Sequence, residues 1–170
     1  MGRLDVILTQ LPEGGGDLTT RRLFREPLLL AMPDDHPLAS RVDVTEADLA
    51  DLNVLSLGPD YALHDQIAAL CHQHGAIIAR DYEGTSLDAL RQMTAMNMGV
   101  TFLPALYARS EVPHSAGDVV LVPYREGRLS RSIGLVWRKS SGNQKPFEIL
   151  AELIRAVAKK RFKGLVTVEA

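Results

Sequence analysis

The sequence has one cysteine in 170 residues, no excess of charge of either sign and no long hydrophobic run. A single cysteine cannot close an internal disulfide, which excludes a disulfide-stapled scaffold and fits a reducing compartment. The 19 basic and 21 acidic side chains leave a formal net charge of −2. Without a basic excess to draw it onto a phosphate backbone, the chain is not expected to grip DNA or RNA by itself. Its longest apolar runs, such as Leu28–Met32, have strand length and fall well short of the roughly 18 residues of a membrane span. Met1-Gly2-Arg3 leads straight into Leu-Asp-Val-Ile-Leu, without the basic, apolar and small-residue regions of an export signal, so a cytoplasmic location is expected.

Enzyme motifs are missing too. There is no Gly-x-Ser-x-Gly elbow, no Gly-x-Gly-x-x-Gly turn and no P-loop, and Gly14-Gly15-Gly16 lacks the lysine and helix start of a phosphate cradle. The densest polar cluster, Asp60 to His74, makes a poor metal site. His72 and His74 point about 200° apart on a helix, and only His64 and Cys71 share a face. Those two lie about 10 Å apart along the axis, beyond the reach of a nucleophile–base pair. No catalytic residue, cofactor or metal is therefore expected.

What is present is an ordinary globular composition, 46% hydrophobic and 24% charged, enough for a sizeable core. Strand-length apolar runs alternate with helical periods. Leu4–Leu8 reads as a short buried strand, Arg21–Met32 as strand material interrupted at Pro27, and Thr45 with Asp48 as a capped helical turn. Asn53–Leu57 is a strand. Leu63, Ile67, Leu70 and Cys71 then fall on one face of a helix over 62–74 that Gly75 closes, which turns Cys71 inward as a small buried hydrophobe. A strand begins at Ala76–Ile78, Thr85 or Ser86 caps a helix carrying Leu87, Leu90 and Met93, and Gly99 stops it. Val100–Leu103, Val119–Val122 and Ser132–Trp137 are further strands. Pro146 opens a last amphipathic helix with Phe147, Leu150, Leu153, Ile154 and Val157, closed by Lys159-Lys160-Arg161.

This alternation predicts an α/β fold with a mostly parallel sheet. Polar loops at Thr9–Asp17 and Pro123–Arg131 flank a central block. The expected organisation is a partial subdomain I over 1–17, a subdomain II over 18–122, and a return to subdomain I with the C-terminal helix over 123–170. Asp60–Gln66 and Thr85–Ser86 each open a helix directly after a strand. That carboxyl edge is where open α/β sheets bind small ligands, anions especially. Tyr61, His64, Asp65, Gln66, Thr85 and Ser86 are the candidate pocket residues, with Thr85 and Ser86 equally well explained as plain helix caps.

Several segments carry a family resemblance. Leu4-Asp5-Val6-Ile7-Leu8, Leu29-Leu30-Ala31-Met32 with Asp35-His36-Pro37-Leu38-Ala39, Thr85-Ser86-Leu87 and Gly99-Val100-Thr101-Phe102-Leu103-Pro104 occur in an order that resembles the effector-binding domains of LysR-type transcription regulators. Leu63-His64-Asp65-Gln66, Thr85–Arg91 and Arg131–Arg138 look like its hydrogen peroxide-sensing members. The resemblance implies a periplasmic-binding-protein-like (type II) regulatory domain of two α/β subdomains, the first incomplete here. It also implies an upstream helix-turn-helix that contacts promoter DNA, homodimers and homotetramers, RNA polymerase as a further partner, and no membrane association. An apolar patch or open sheet edge is expected where the missing part of subdomain I docks.

In the peroxide-sensing members, a reactive cysteine immediately precedes the Leu-Arg-Asp-Gln stretch and a resolving cysteine lies nine residues on. The matching positions here are Ala62 and Cys71, and the histidine expected before the reactive cysteine is Tyr61. The resemblance thus makes Cys71 a resolving-type thiol in an activator of oxidative-stress genes, with Ala62 as a reduced-state mimic or a natural variant. Two alternatives stand beside it: a LysR-type regulator that binds a small carboxylate, and a solute-binding transport protein of the same fold.

Overall fold

The computed structural model describes residues 4–11, 16–112, 118–142 and 144–170. In chain order the elements are β1 (Val6–Gln10), β2 (Leu18–Met32), a 3-10 turn (Glu46–Leu49), β3 (Asn53–Leu57), α1 (Ala62–His74), β4 (Ile77–Gly84), α2 (Leu87–Ala95), β5 (Val100–Pro104) and α3 (Ala105–Glu111). After these come β6 (Val120–Pro123), a second 3-10 turn (Arg125–Gly127), β7 (Ser130–Arg138), α4 (Lys145–Arg161) and β8 (Thr167–Val168). The chain forms two compact units, one from 1–26 with 130–170 and one from 27–129.

In the 27–129 unit, β3 runs parallel to both β4 and β5, whereas β2 pairs antiparallel with β5 and β6. The pairings β1–β7 and β2–β8 are antiparallel as well, which corrects the expectation of a mostly parallel sheet. Parallel neighbours need a crossover connection, and α1 and α2 supply it only for β3, β4 and β5. Leu28, Leu30, Met32, Val54, Leu55 and Phe102 of the sheet meet Leu63, Ile67 and Cys71 of α1 and Leu90 of α2 in one buried cluster. The Phe102 ring stands edge-on to that of Tyr124 at 5.5 Å.

Local chemistry explains the helix limits. Ser86 Oγ accepts the Ala89 N–H at 3.1 Å, so of the two candidate caps it is Ser86 that starts α2. Gly75 closes α1 with φ 75°, a left-handed conformation that costs glycine little, and the Gly75 and Ala76 N–H groups both return to the Cys71 carbonyl. The helix expected to run to Gly99 ends at Ala95, where Asn97 turns the chain at φ 61°. The short helix α3 was not foreseen, since its seven residues are too few to display a period.

In the other unit, β7 lies between β1 and β2. Trp137 is buried there, tilted against Phe147 at 5.3 Å, with its indole N–H donated to Gln144 Oε1 at 3.1 Å. Glu26, only 1% exposed, receives a hydrogen bond from Arg131 Nε at 2.9 Å. Three further expectations need correction. The Leu4–Leu8 segment is not buried: β1 is the first strand in the sheet order, with one neighbour, and Leu4, Ile7 and Leu8 are exposed. Pro27 does not interrupt β2, which continues as one strand while its partners change, from β8 at Phe24 and Arg25 to β5 and β6 from Leu28 onward. That change of partners tolerates a residue without an N–H. Finally, α4 buries Ala151 and Ala158, while Ile149, Leu150, Leu153 and Val157 stay exposed. Small alanines let a helix approach its sheet closely, so its larger apolar residues flank that contact.

Candidate functional site

The parallel pairing of β3 with β4 sets Leu57 opposite Gly84, so the two strands end side by side. The Gly58 N–H donates to the Gly84 carbonyl at 3.2 Å, and the turn closed by Tyr61 N–H on the Gly58 carbonyl launches α1. Gly84 is required at this crowded point, since an added Cβ would lie 2.5 Å from Leu90 Cδ2.

Around these strand ends the candidate residues are partly gathered. Tyr61 donates its hydroxyl to the Thr85 carbonyl at 3.2 Å, which joins the start of α1 to the segment before α2. His64 Nδ1 lies 2.7 Å from the Leu57 carbonyl, so that nitrogen carries the proton and donates. Ser86 is engaged as the α2 cap. Asp65 is exposed on α1 and Gln66 is half-buried. The arrangement is therefore a tied corner of Tyr61, Thr85, His64 and Leu57.

Ala62 and Cys71 lie on opposite sides of α1. Ala62 is exposed at the first position, beside the positive end of the helix dipole. Cys71 is 2% exposed, packed in the core, and burial pushes its thiol up to about 11. A thiol shifted in that direction is protonated at neutral pH and is a weak nucleophile. Among the described residues no three His, Cys, Asp or Glu side chains are placed to hold a metal ion, and no helix is long and apolar enough to cross a membrane. Gly14 and Gly15 of the glycine triplet lie outside the described residues.

The family model of the LysR substrate-binding domain matches residues 1–159. The chain belongs to this family. Its α/β fold is accordingly that of LysR regulatory domains, periplasmic-binding-protein-like with an open sheet. The chain is 39% identical over 155 residues to the DNA-binding transcriptional dual regulator OxyR of Escherichia coli (strain K12), covering 91% of this chain and 50% of that protein. The hydrogen peroxide-inducible genes activator of Pectobacterium carotovorum is 35% identical over 154 residues, with the same two shares. The chain thus spans about half the length of the curated relatives it matches. Among solved structures, the reduced form of OxyR superposes with a TM-score of 0.79 at 37% identity, covering 94% of this chain and 74% of that one. The oxidized form gives 0.81 at 38% identity over the same shares.

One feature of this LysR-family domain escaped the sequence reading. A cavity of about 540 Å³ lies between α1, β3 and β4, with Ser56, Cys71, Arg80 and Glu83 in its wall. The signal for it is a lone hydroxyl residue inside the apolar run Val54-Leu55-Ser56-Leu57.

Proposed function

We propose that this chain is the sensing part of a LysR-type transcription regulator built like the hydrogen peroxide-responsive ones, with its thiol switch held in the reduced arrangement by Ala62. The 27–129 unit serves as subdomain II and the other unit belongs to subdomain I. The sensing part acts with a helix-turn-helix segment on promoter DNA, as a homodimer or homotetramer, and RNA polymerase is the partner through which transcription is activated.

The observation that supports this reading is α1 itself, unbroken from Ala62 to His74 with position 62 exposed and Cys71 buried on the opposite side. Nine residues of helix set these positions about 13.5 Å apart along the axis, whereas a disulfide needs Cα atoms within about 7 Å. A relative with cysteine at both positions could join them only by unwinding this helix. That order-to-disorder step is one by which oxidation could change the domain's shape. Here the exposed first-turn position has no thiol, and the one thiol in the chain is buried and protonated at neutral pH.

The test is a slight excess of hydrogen peroxide on the purified protein, followed by intact mass. Slow or absent oxidation of Cys71 is expected; rapid, stoichiometric oxidation sinks the reading. The carboxylate-effector alternative would ask Tyr61 to give up the hydrogen bond it already donates, whereas Ser86, an acceptor at its cap, keeps a hydroxyl proton to offer. It would show itself as saturable stabilisation by small acids in a thermal-shift screen.

A further inference from the structure

The cavity between α1 and β4 has a structural origin. On β3, Val54 faces Ile78 of β4, but two residues later Ser56 faces Glu83, five residues along. The surplus length of β4 opens the ladder beside α1. Its walls combine apolar groups, Ala68 and Cys71 from the helix and Ile78 from the strand, with His64 and His72 of the same helix.

Two polar features in this cavity lack a partner. Ser56 is 6% exposed, and its Oγ finds no hydrogen-bond partner among the described residues. Buried hydroxyls are normally satisfied, as Thr101 shows next door by donating Oγ1 to the Leu55 carbonyl at 2.9 Å. At the rim, Arg80 and Glu83 are both exposed, and neither forms an ion pair with the other or with any described residue. Opposite charges at the mouth, partly apolar walls and an unsatisfied hydroxyl form a graded set of contacts. A volume of about 540 Å³ is in the range of small-molecule sites.

We propose that this cavity, bounded by Ser56, Arg80 and Glu83, is a binding site for a small zwitterion of the α-amino acid class with a polar side chain. The ligand carboxylate meets the Arg80 guanidinium and its ammonium meets Glu83. The side chain descends between Ala68 and Ile78 to hydrogen-bond Ser56 Oγ. A simple carboxylate would leave Glu83 facing its negative charge, and a simple amine would leave Arg80 facing its positive one, so the pair selects the zwitterion. The site lies within one unit and shares His64 and Leu57 with the corner that Tyr61 and Thr85 tie. It stands or falls independently of the peroxide reading, because its test uses no oxidant.

The experiment uses the whole chain and the twenty common L-amino acids, one at a time at about 10 mM, a concentration that detects weak millimolar binding. Calorimetry reads binding. The Arg80→Gln, Glu83→Gln and Ser56→Ala proteins read location, since each alters one wall of the cavity. At least one amino acid with a polar side chain is expected to bind saturably. Its deaminated analogue, and the apolar amino acid of the same length, should each bind about tenfold more weakly or worse, as should Arg80→Gln, Glu83→Gln and Ser56→Ala proteins. Unchanged circular dichroism and melting temperature in those variants separate lost contacts from lost folding. The proposal is overturned if none of the twenty binds, or if the deaminated analogue or the Arg80→Gln protein binds as well as the parent pair.

Discussion

Restoring a thiol at position 62 gives the most direct quantitative check. In the Ala62→Cys protein the new sulfur is exposed in the first turn of α1, where the helix dipole favours thiolate, while Cys71 stays buried with its thiol pushed up to about 11. Peroxide should therefore attack position 62 first. The disulfide to Cys71 must then shorten a separation of about 13.5 Å to under 7 Å, which the continuous helix forbids. Opening it withdraws Leu63 and Ile67, 5% and 2% exposed, from the core. At about 1.5–3 kcal/mol for each side chain, the opposing term is roughly 3–6 kcal/mol. At about 30 mV per 1.4 kcal/mol, this raises the disulfide potential by roughly 65–130 mV above that of an unstrained structural disulfide near −300 mV. The expected value is thus about −235 to −170 mV. Equilibration in glutathione buffers of set potential, with intact mass to count the species lighter by two hydrogens and far-UV circular dichroism to follow helix loss, measures both quantities. A disulfide that forms below −300 mV with undiminished helix signal would refute the reasoning, and so would a failure to form in fully oxidised glutathione.

Gly84→Ala should destabilise the protein by about 1–3 kcal/mol in urea unfolding, because the added Cβ meets the buried Leu90 side chain at 2.5 Å. Arg131→Ala should cost about 3–5 kcal/mol by stripping the ion-pair partner from a carboxylate that is 1% exposed, and Glu26→Gln added to it should recover part of the loss. Stability should also fall between about pH 9 and 10. Cys71 titrates near 9 when unfolded and at about 11 when folded, so the unfolded chain releases its proton first and unfolding gains as pH rises. Urea midpoints across that window should flatten in Cys71→Ala, whereas the buried Tyr124, pushed up to about 12, adds its own loss only above pH 10.

The sequence made unit 27–129 largely legible because its helices carry their own punctuation. Leu63, Ile67 and Cys71 keep one face, Gly75 ends it, and Ser86 begins the next helix, so α1 and α2 needed no tertiary information. Strand direction was less accessible. An apolar run such as Leu28–Met32 looks the same whether its neighbour runs parallel or antiparallel, and only the connections decide. Burial in the other unit was misread for a related reason: periodicity shows that Leu153 and Val157 share a face but not whether anything covers it. The tied corner of Tyr61, His64 and Thr85 was legible as residues following strand ends, yet the bond that occupies the Tyr61 hydroxyl was not. Ser56, Arg80 and Glu83 stayed hidden because their proximity depends on the register jump between β3 and β4, which no local pattern encodes.

The surplus residues in β4 have a bearing on how such a domain can diverge. The ladder on β3 resumes at Ser56 and Glu83 whatever lies between Ile78 and Glu83, since that stretch is already out of step with its neighbour. Residues can be gained or lost there without flipping the inward-facing side chains of either strand. Relatives are thus free to vary the length of this stretch while the core beneath stays constant. A shortened or lengthened β4 would remodel the adjoining cavity in a single genetic step, where point substitutions on a regular strand would need several.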